Sequence, residues 1–463
     1  MKFVIGTCLS TDLSFGCMRT SGSVLLEPGR TADVRLENDG GQLVGKTGDG
    51  DVVHAFAGNV PVVDSIDAKI DAAAASVASG VNSSVLLMGT NHRAHALFWS
   101  AIDDLARGVL ARLPSGGETR VTITLLVSPY RSGAVNDLVV PSIKRRRLMG
   151  GERAQIREAP GFGLFFERTG ANEVVLEGDD DVRSVIEAAL EHHACITTLF
   201  APLNRLYSLI STVTVAHRNA AGEYWRSMAS LASVPTPESP WMCGLLDKEI
   251  VSRCEAARLG NLFDYLARGI VSKTSCHVPW RDSFVSRLLG TAGGGEIHVV
   301  TVLPAQSDQW LTGGADGTPK LLEIALRPAI LAHSVFAAGD FALDNPTIRV
   351  VRRHWTSTRT EDLAARVSKG IGGPLADLAE TARLVVAHVM FLRLFSAPKL
   401  SLAALDAGDD EWIVVDPLPA AVTERLIKPL RETTAHYCAH PPADEANAVK
   451  SLERIMKTLE ARV

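Results

Sequence analysis

The sequence lacks paired cysteines, long apolar runs and an excess of positive charge. Its seven cysteines are dispersed and form no C-x-x-C pair, which indicates reduced thiols in an intracellular protein rather than a disulfide framework or a zinc site. No apolar run reaches the roughly 18 residues that would span a membrane, and the N-terminus MKFVIGTCLS does not have the pattern of a secretory signal. The formal net charge of −5 and the pI near 6.2 disfavour a dedicated nucleic-acid binder. We therefore predict a cytoplasmic protein with neither nucleic acid nor membrane as a partner.

Most of the 463 residues alternate between strand-like and helix-like patterns. The apolar run SSVLLMG is typical of a central strand, and TRVTITLLVSPY, LISTVTVAHRN and EIHVVTVLP are rich in β-branched residues. Helical spacing of apolar residues predicts helices over Val62–Ala78, His95–Leu113, Asp179–His192 and Asp247–Arg268. Strands that alternate with helices predict an α/β fold, with a sheet flanked by helices.

The pattern changes after about residue 338. Helices are predicted over Glu361–Arg366, Leu375–Phe395 and Ala443–Val463, and glycines interrupt the first two. The apolar face of the last helix covers only about two heptads, which is too short for a confident coiled coil. We therefore predict a head over residues 1–338 and a mostly helical C-terminal extension over 339–463.

The segment SCHVPWRDSFVSRLLGTAGGG, Ser275 to Gly295, is the most informative stretch. Pro279 keeps the residue before it out of the helical region. Asp282 or Ser283 can cap the following helix, which ends at a run of three glycines and leads into EIHVVTV. Taken alone, the segment predicts a loop, a capped helix and a strand.

The residue pattern of this segment closely resembles H-V-P-Y-R-D-S-K-L-T-R-L-L of the kinesin motor domain. Leu259-Gly260-Asn261 matches the L-G-N of the preceding helix, REAPGFG matches R-E-x-P-x-x-G, and Gly80-Val81-Asn82 falls on the G-Y-N before the phosphate loop. Several matches in the family's order extend over residues 1–338. The resemblance implies a kinesin-type head, in which a central mixed sheet has helices on both faces.

Most of the residues that form the phosphate loop in this family are replaced in this chain. The pattern G-Y-N-A-T-I-F-A-Y-G-Q-T-G-S-G-K-T aligns with Gly80–Ala96 without a gap. Gly89 is kept, His92 and Ala94 replace the next two loop glycines, and His95 and Ala96 replace the lysine and threonine. In the family pattern the glycines admit backbone N–H groups close to phosphates, the lysine reaches the β- and γ-phosphates and the hydroxyl ligates magnesium. Histidine is shorter than lysine and, with an ordinary pKa of about 6.5, mostly neutral at pH 7.

The other nucleotide elements have also changed. The first switch of the family falls on APLNRLYS, Ala201–Ser208, and the second falls on SLASVP, Ser230–Pro235, where serine replaces the acid. The adenine-binding R-x-R-P is missing around Thr7–Asp12. We therefore predict a pseudoenzyme with no catalytic residue, no cofactor and no metal. Residual ATPase activity in an altered pocket is the least favoured hypothesis.

The resemblance also carries over a tubulin-facing surface. Arg281, Asp282 and Arg287 match the segment that lies near tubulin in kinesins, although they also suit a loop and a helix cap. Phe162 lies in a second tubulin-facing loop, and we expect its ring to be exposed and able to meet a partner, although turn chemistry explains the glycines of this loop equally well. The basic run could touch an acidic surface or lie in a solvated loop; it comprises Lys144, Arg145, Arg146 and Arg147.

Isolated histidines and serines suggest no further chemistry. His92 and His95 lack a third metal ligand, and His192 with His193 resembles an exposed pair near a helix end. Ser230 and Ser233 lack any recognisable base, so the sequence gives no support to hydrolase chemistry.

Two functions remain open. The first is a non-catalytic structural protein that binds statically to microtubules or to a microtubule-based assembly such as an axoneme, with the cytoskeleton, cilium or flagellum as its location. The alternative is a rigid scaffold in a complex without tubulin.

Overall fold

The architecture comes from a computed structural model of the chain. It describes residues 15–17, 19–27, 34–39, 42–47, 49–89, 91–129, 135–139, 156–159, 162–166, 173–199, 207–235, 258–265, 283–291, 296–304, 326–333, 349–351, 354–357, 360–397, 402, 417–442 and 444–460.

A ten-stranded mixed sheet forms the centre of the head. Its main path has the order β12-β8-β13-β14-β7-β15-β2-β6, while β9 pairs with β8 and β17 pairs with β14. The strands of this sheet are β2 (Arg19–Glu27), β6 (Val62–Val63), β7 (Ser83–Gly89), β8 (Gly117–Pro129), β9 (Asn136–Asp137), β12 (Val174–Leu176), β13 (Tyr207–Asn219), β14 (Glu223–Pro235), β15 (Glu296–Pro304) and β17 (His354–Ser357).

The sheet has an antiparallel half and a parallel half that meet at β14. From β12 to β14 the neighbouring strands run antiparallel, and from β14 through β7, β15 and β2 to β6 they run parallel. β7 is buried along its whole length, as expected for a parallel strand with helices on both faces. The predicted α/β class and the central mixed sheet are therefore confirmed.

Helices cover both faces of the sheet. The side chains of β7 therefore alternate between two apolar cores, one on each face. Val85 and Leu87 pack into one core with the first three helices. Leu86 and Met88 pack into the other with helical residues 258–265, 284–291 and 326–333. The helices of the head with defined bounds are α1 (Asp67–Ala78), α2 (Asn91–Leu110), α3 (Asp179–Leu199) and α4 (Phe284–Thr291).

Several predicted helix bounds are shifted. The helix predicted from Val62 begins at Asp67, because Val62–Val63 pairs with β2 instead. The helix predicted from His95 begins at Asn91 and ends at Leu110. Of the helix predicted over Asp247–Arg268, the described part is helical at 258–265.

Two small sheets accompany the main one. A hairpin pairs β10 (Ile156–Ala159) with β11 (Gly163–Phe166). A three-stranded sheet joins β3 (Val34–Asp39), β4 (Gln42–Thr47) and β5 (Val52–Asn59).

The C-terminal region folds around one long buried helix. Its helices are α5 (Thr360–Gly370), α6 (Leu375–Ser396), α7 (Ala420–Val422), α8 (Lys428–Ala439) and α9 (Ala446–Glu460), and a π-helical turn, Thr423–Ile427, joins α7 to α8. These helices share a third apolar core, which also includes Phe162, Phe165 and Tyr224. The predicted C-terminal helices are therefore confirmed, and we refer to them together as the C-terminal bundle.

Two strands tie the C-terminal region to the head. β16 (Arg349–Val351) pairs with β1 (Phe15–Cys17), and β17 pairs with the first residues of β14. The region after residue 338 therefore contributes strands as well as helices, and β17 belongs to the central sheet. None of the helices in the described part of the chain is both long and apolar enough to cross a membrane.

Candidate functional site

The junction between β7 and α2 is where the sequence predicts a degraded phosphate loop. Gly89 ends β7 and α2 begins at Asn91. A Cβ atom built on Gly89 would lie 2.3 Å from the carbonyl oxygen of Val302 in the neighbouring strand β15. This distance is far too short for a real contact, so the close approach of two strands requires glycine here. The retention of Gly89 therefore has a packing reason that does not depend on phosphate.

His95, which the sequence resemblance aligns with the lysine of the phosphate loop, turns into the protein. The residue is 5% exposed, and its Nδ1 lies 2.7 Å from Oγ of Ser233 on β14. Its ring packs against Tyr207 on β13, with the ring centres 4.7 Å apart. The imidazole is therefore held against the sheet by a hydrogen bond and an aromatic contact.

His193 and Trp99 extend this contact to the neighbouring helices. Nε2 of His193, on α3, lies 2.8 Å from the Tyr207 hydroxyl oxygen, and its ring centre lies 5.6 Å from that of Trp99 on α2. We call His95, Trp99, His193, Tyr207 and Ser233 the imidazole cluster. It joins α2, α3, β13 and β14, and its members are separated by up to 138 residues in sequence.

Burial favours the uncharged forms of two members of the imidazole cluster, Tyr207 and His193. Desolvation raises the pKa of Tyr207 to about 12 and lowers the pKa of His193, since burial disfavours the charged form of each group. The Tyr207 hydroxyl is therefore protonated at pH 7 and can share its proton with a neutral imidazole. These two neutral side chains offer no cation to a polyphosphate.

Ser233 and His95 form a serine–imidazole pair that the sequence did not reveal. The prediction that Ser233 has no base nearby is therefore wrong. The pair is nevertheless closed to substrate, because Ser233 is fully buried and a nucleophile must reach the reacting atom. Ser230, which the resemblance aligns with the acid of the second switch, is also buried and hydrogen-bonds to the hydroxyl of Ser84 on β7.

Of the helix segment predicted to face tubulin, the structure describes Arg287. The segment before it begins α4 with a reciprocal cap, in which Ser286 N–H donates to Ser283 Oγ at 3.0 Å and Ser283 N–H donates to Ser286 Oγ at 2.9 Å. Val285, Leu288 and Leu289 face the core, whereas Arg287 is exposed. Ser283 thus serves as the predicted cap, and Arg287 is free to meet a partner.

Several predicted positions lie outside the described residues. They are Arg281, Asp282, the basic run from Lys144 to Arg147, the segment Thr7–Asp12, Ala201–Leu206 of the first switch and the side chain of His92.

Phe162 is buried, which corrects the expectation of an exposed ring. It is 5% exposed, and its ring centre lies 4.9 Å from that of Phe391 on α6. The guanidinium of Arg226 sits 4.9 Å from the same ring and pairs with Glu173 at 3.6 Å. The C-terminal bundle therefore covers Phe162, for a simple physical reason: an aromatic ring on a hairpin tip is stabilised by packing against another apolar surface.

The pair His192–His193 is likewise not a free surface pair. Nδ1 of His192 lies 2.7 Å from the carbonyl oxygen of Leu138, and both rings are half-buried. No group of three or more potential metal ligands occurs among the residues that the structure describes.

Comparison with solved structures returns kinesin motors, the family that the sequence resembles. One is a KIF14 dimer with AMP-PNP in complex with a microtubule, at a TM-score of 0.49 and 15% identity, over 68% of this chain and 94% of that chain. The motor and motor homology domain of Kar3Vik1, fused to a synthetic coiled coil, gives 0.47 and 14%, over 68% and 84%. A fast kinesin gives 0.48 and 14%, over 72% and 94%. No family model matches the chain, and no curated protein matches it significantly. Each TM-score is below 0.5, so these likenesses do not decide the function of this chain.

Proposed function

We propose that the chain is a kinesin-like head that does not turn over ATP and that binds statically to microtubules or to a microtubule-based assembly. The kinesin-like part of this proposal rests on the ordered sequence matches around Gly80–Asn82, Leu259–Asn261 and His277–Leu289. The mixed sheet with helices on both faces is consistent with them.

One observation carries the non-catalytic part: the residue at the lysine position is buried in the imidazole cluster. A phosphate-binding lysine must extend into solvent-accessible space to reach its ligand. His95 instead bonds to Ser233 and packs on Tyr207. The loss of a single charge-assisted hydrogen bond costs about 1.5–3 kcal/mol. The loss of the cation, the metal-binding hydroxyl and two glycines together removes useful affinity for ATP.

A first experiment tests this loss directly. The purified protein is titrated with a fluorescent ATP analogue and magnesium, with a conventional kinesin motor as the positive control. We expect no saturable binding up to millimolar nucleotide. Micromolar binding together with phosphate release would instead establish the residual ATPase.

The proposed partner surface centres on Arg287. It is exposed on a helix whose other face is fixed in the core, and a guanidinium suits an acidic protein surface. Static binding follows from the absence of a nucleotide cycle, because no ligand would then shift the head between strong and weak binding states.

Cosedimentation with polymerised microtubules tests the partner. We expect the wild type to pellet to the same extent with and without ATP, and Arg287→Glu to reduce the pelleted fraction several-fold, with a larger loss in Arg281→Glu/Arg287→Glu. Arg366→Glu makes the same charge change at an exposed position of α5 and should behave as wild type. Equal loss in Arg287→Glu and Arg366→Glu would mean that overall charge, and not this surface, controls binding.

A scaffold in a complex without tubulin is the second candidate, and the burial of Phe162 favours it. The resemblance places this residue in a tubulin-facing loop, yet α6 covers it. A head that had lost its tubulin contacts could keep such a cover. If the wild type itself fails to pellet while remaining folded by circular dichroism, the scaffold is the better description.

A further inference from the structure

The end of α8 carries two histidines on one face. His436 lies in the last turn of this helix, and His440 is its C-cap residue, whose backbone N–H donates to the His436 carbonyl at 2.9 Å. Residues four apart on a helix are neighbours on its surface. Both side chains are exposed, so a solute can reach either ring.

The separation of the two rings suits a shared metal ion. Their centres lie 5.2 Å apart, with 32° between the ring planes. A zinc–nitrogen bond of about 2 Å places an imidazole centre about 3.2 Å from the ion, so two imidazoles on one tetrahedral ion have centres about 5.2 Å apart. The observed separation of the two ring centres therefore matches that of two imidazoles on one ion.

The surroundings of the pair also favour a cation. The C-terminal end of a helix carries a partial negative charge from its unsatisfied carbonyl groups. Tyr437 is half-buried against the core of the C-terminal bundle, and its ring centre lies 5.6 Å from that of His436. This contact limits the motion of one of the two ligands, which lowers the entropic cost of binding.

We propose that His436 and His440 form a binding site for a borderline transition-metal dication such as Zn²⁺ or Ni²⁺. Two histidines at i and i+4 on a helix are a known way to present imidazole to zinc, and imidazole suits this class of ion better than Mg²⁺ or Ca²⁺. The protein supplies two ligands and water completes the coordination. This site lies in the C-terminal bundle and is independent of the proposed microtubule-binding function.

Calorimetric titration with ZnCl₂ or NiCl₂ tests the site in the full chain, in a Cys438→Ala background that removes the exposed thiol nearby. We expect one site of micromolar affinity that weakens at least tenfold in His436→Ala and in His440→Ala. The matched control is His436→Ala/Ala435→His, which keeps the number of histidines but moves the pair to i, i+5, on different faces of the helix. It should also lose the site.

Thermal unfolding with and without the ion gives a second readout. The ion should raise the melting temperature of the Cys438→Ala protein and not that of the register-shifted variant, since only the state that binds is stabilised. Equal affinity in the parent and the register-shifted variant would show that the metal binds elsewhere, and the proposal would then be wrong.

Discussion

The two ends of strand β14 are covered by two different kinds of contact, one polar and one apolar. At its C-terminal end, Ser233 joins the imidazole cluster, where hydrogen bonds link His95 to Ser233 and His193 to Tyr207. At its N-terminal end, about 30 Å away along the strand, Tyr224 stacks on Phe391 of the C-terminal bundle. The contacts at the C-terminal end are mainly hydrogen bonds, which depend on the geometry of polar atoms. The contacts at the N-terminal end stabilise the protein through buried apolar area. The second should therefore contribute more to the free energy of unfolding than the first.

The N-terminal end of β14 is joined to the C-terminal bundle by more than aromatic contact. The guanidinium of Arg120 donates to the backbone carbonyls of Leu394 and Ala397 at the end of α6. These are carbonyls that the helix itself leaves without a partner. β17 adds backbone pairing with β14 in the same place. Packing, helix capping and sheet pairing thus act together, so the C-terminal bundle and the head should unfold as one unit.

The largest expected effect is at Phe391. It is fully buried and contacts both Phe162 and Tyr224, so Phe391→Ala should lower the free energy of unfolding by about 3–5 kcal/mol. Urea unfolding followed by circular dichroism measures the change. Ile371→Ala, at a residue that is 41% exposed, is the control and should cost less than about 1 kcal/mol. A loss at Phe391 no larger than that at Ile371 would contradict a tightly packed junction.

A second prediction concerns His388, which lies on α6 beside Tyr224 and is 2% exposed. Burial, with a smaller contribution from Arg218, lowers its pKa from 6.5 to about 4, against the opposing effect of Glu361. The unfolded chain therefore binds this proton more readily than the folded protein. Its contribution to stability is complete above pH 6.5 and is lost as the pH falls from 6.5 towards 4.

Between pH 7.5 and 5, this group should lower the free energy of unfolding by about 2 kcal/mol. Burial also lowers the pKa values of His193 and His217, so the wild type alone does not isolate His388. The difference between wild type and His388→Leu at the two pH values does, and the variant should lose less stability on acidification. Parallel losses in the two proteins would show that His388 is not the responsible group.

The sequence predicts the head well because its signals are local. The run SSVLLMG needs only its own composition to be recognised as a buried strand, and Ser283 precedes an apolar helical pattern that it can cap. The position of Phe162 could not be predicted in this way. Its burial depends on Phe391, more than 200 residues later in the chain, and turn glycines around it suggest only a loop.

The imidazole cluster could not be predicted from local sequence either. The alignment identifies His95 as a replacement for lysine, but it cannot indicate where the ring turns. Tyr207 and His193 meet because a strand and a helix from different parts of the chain converge, and no sequence pattern links the two residues. The sequence offers one indication of the cluster. His95 aligns with the lysine of the phosphate loop, and a tyrosine and a histidine lie in or near the segment aligned with the first switch.

The smallest expected effect belongs to this cluster. Tyr207→Phe removes the hydroxyl that lies 2.8 Å from His193 Nε2 but keeps the ring that packs on His95, so it should lower the free energy of unfolding by about 1 kcal/mol. Tyr437→Phe in the C-terminal bundle makes the same chemical change outside the cluster and serves as the control. Tyr207→Phe, whose ring still occupies the same space, should fail to bind the fluorescent ATP analogue. Tyr207→Ala, which removes the ring, should also fail, because a vacant volume supplies neither a lysine nor a magnesium ligand. ATP binding by Tyr207→Ala alone would mean that the pocket keeps its affinity for phosphate and is merely blocked.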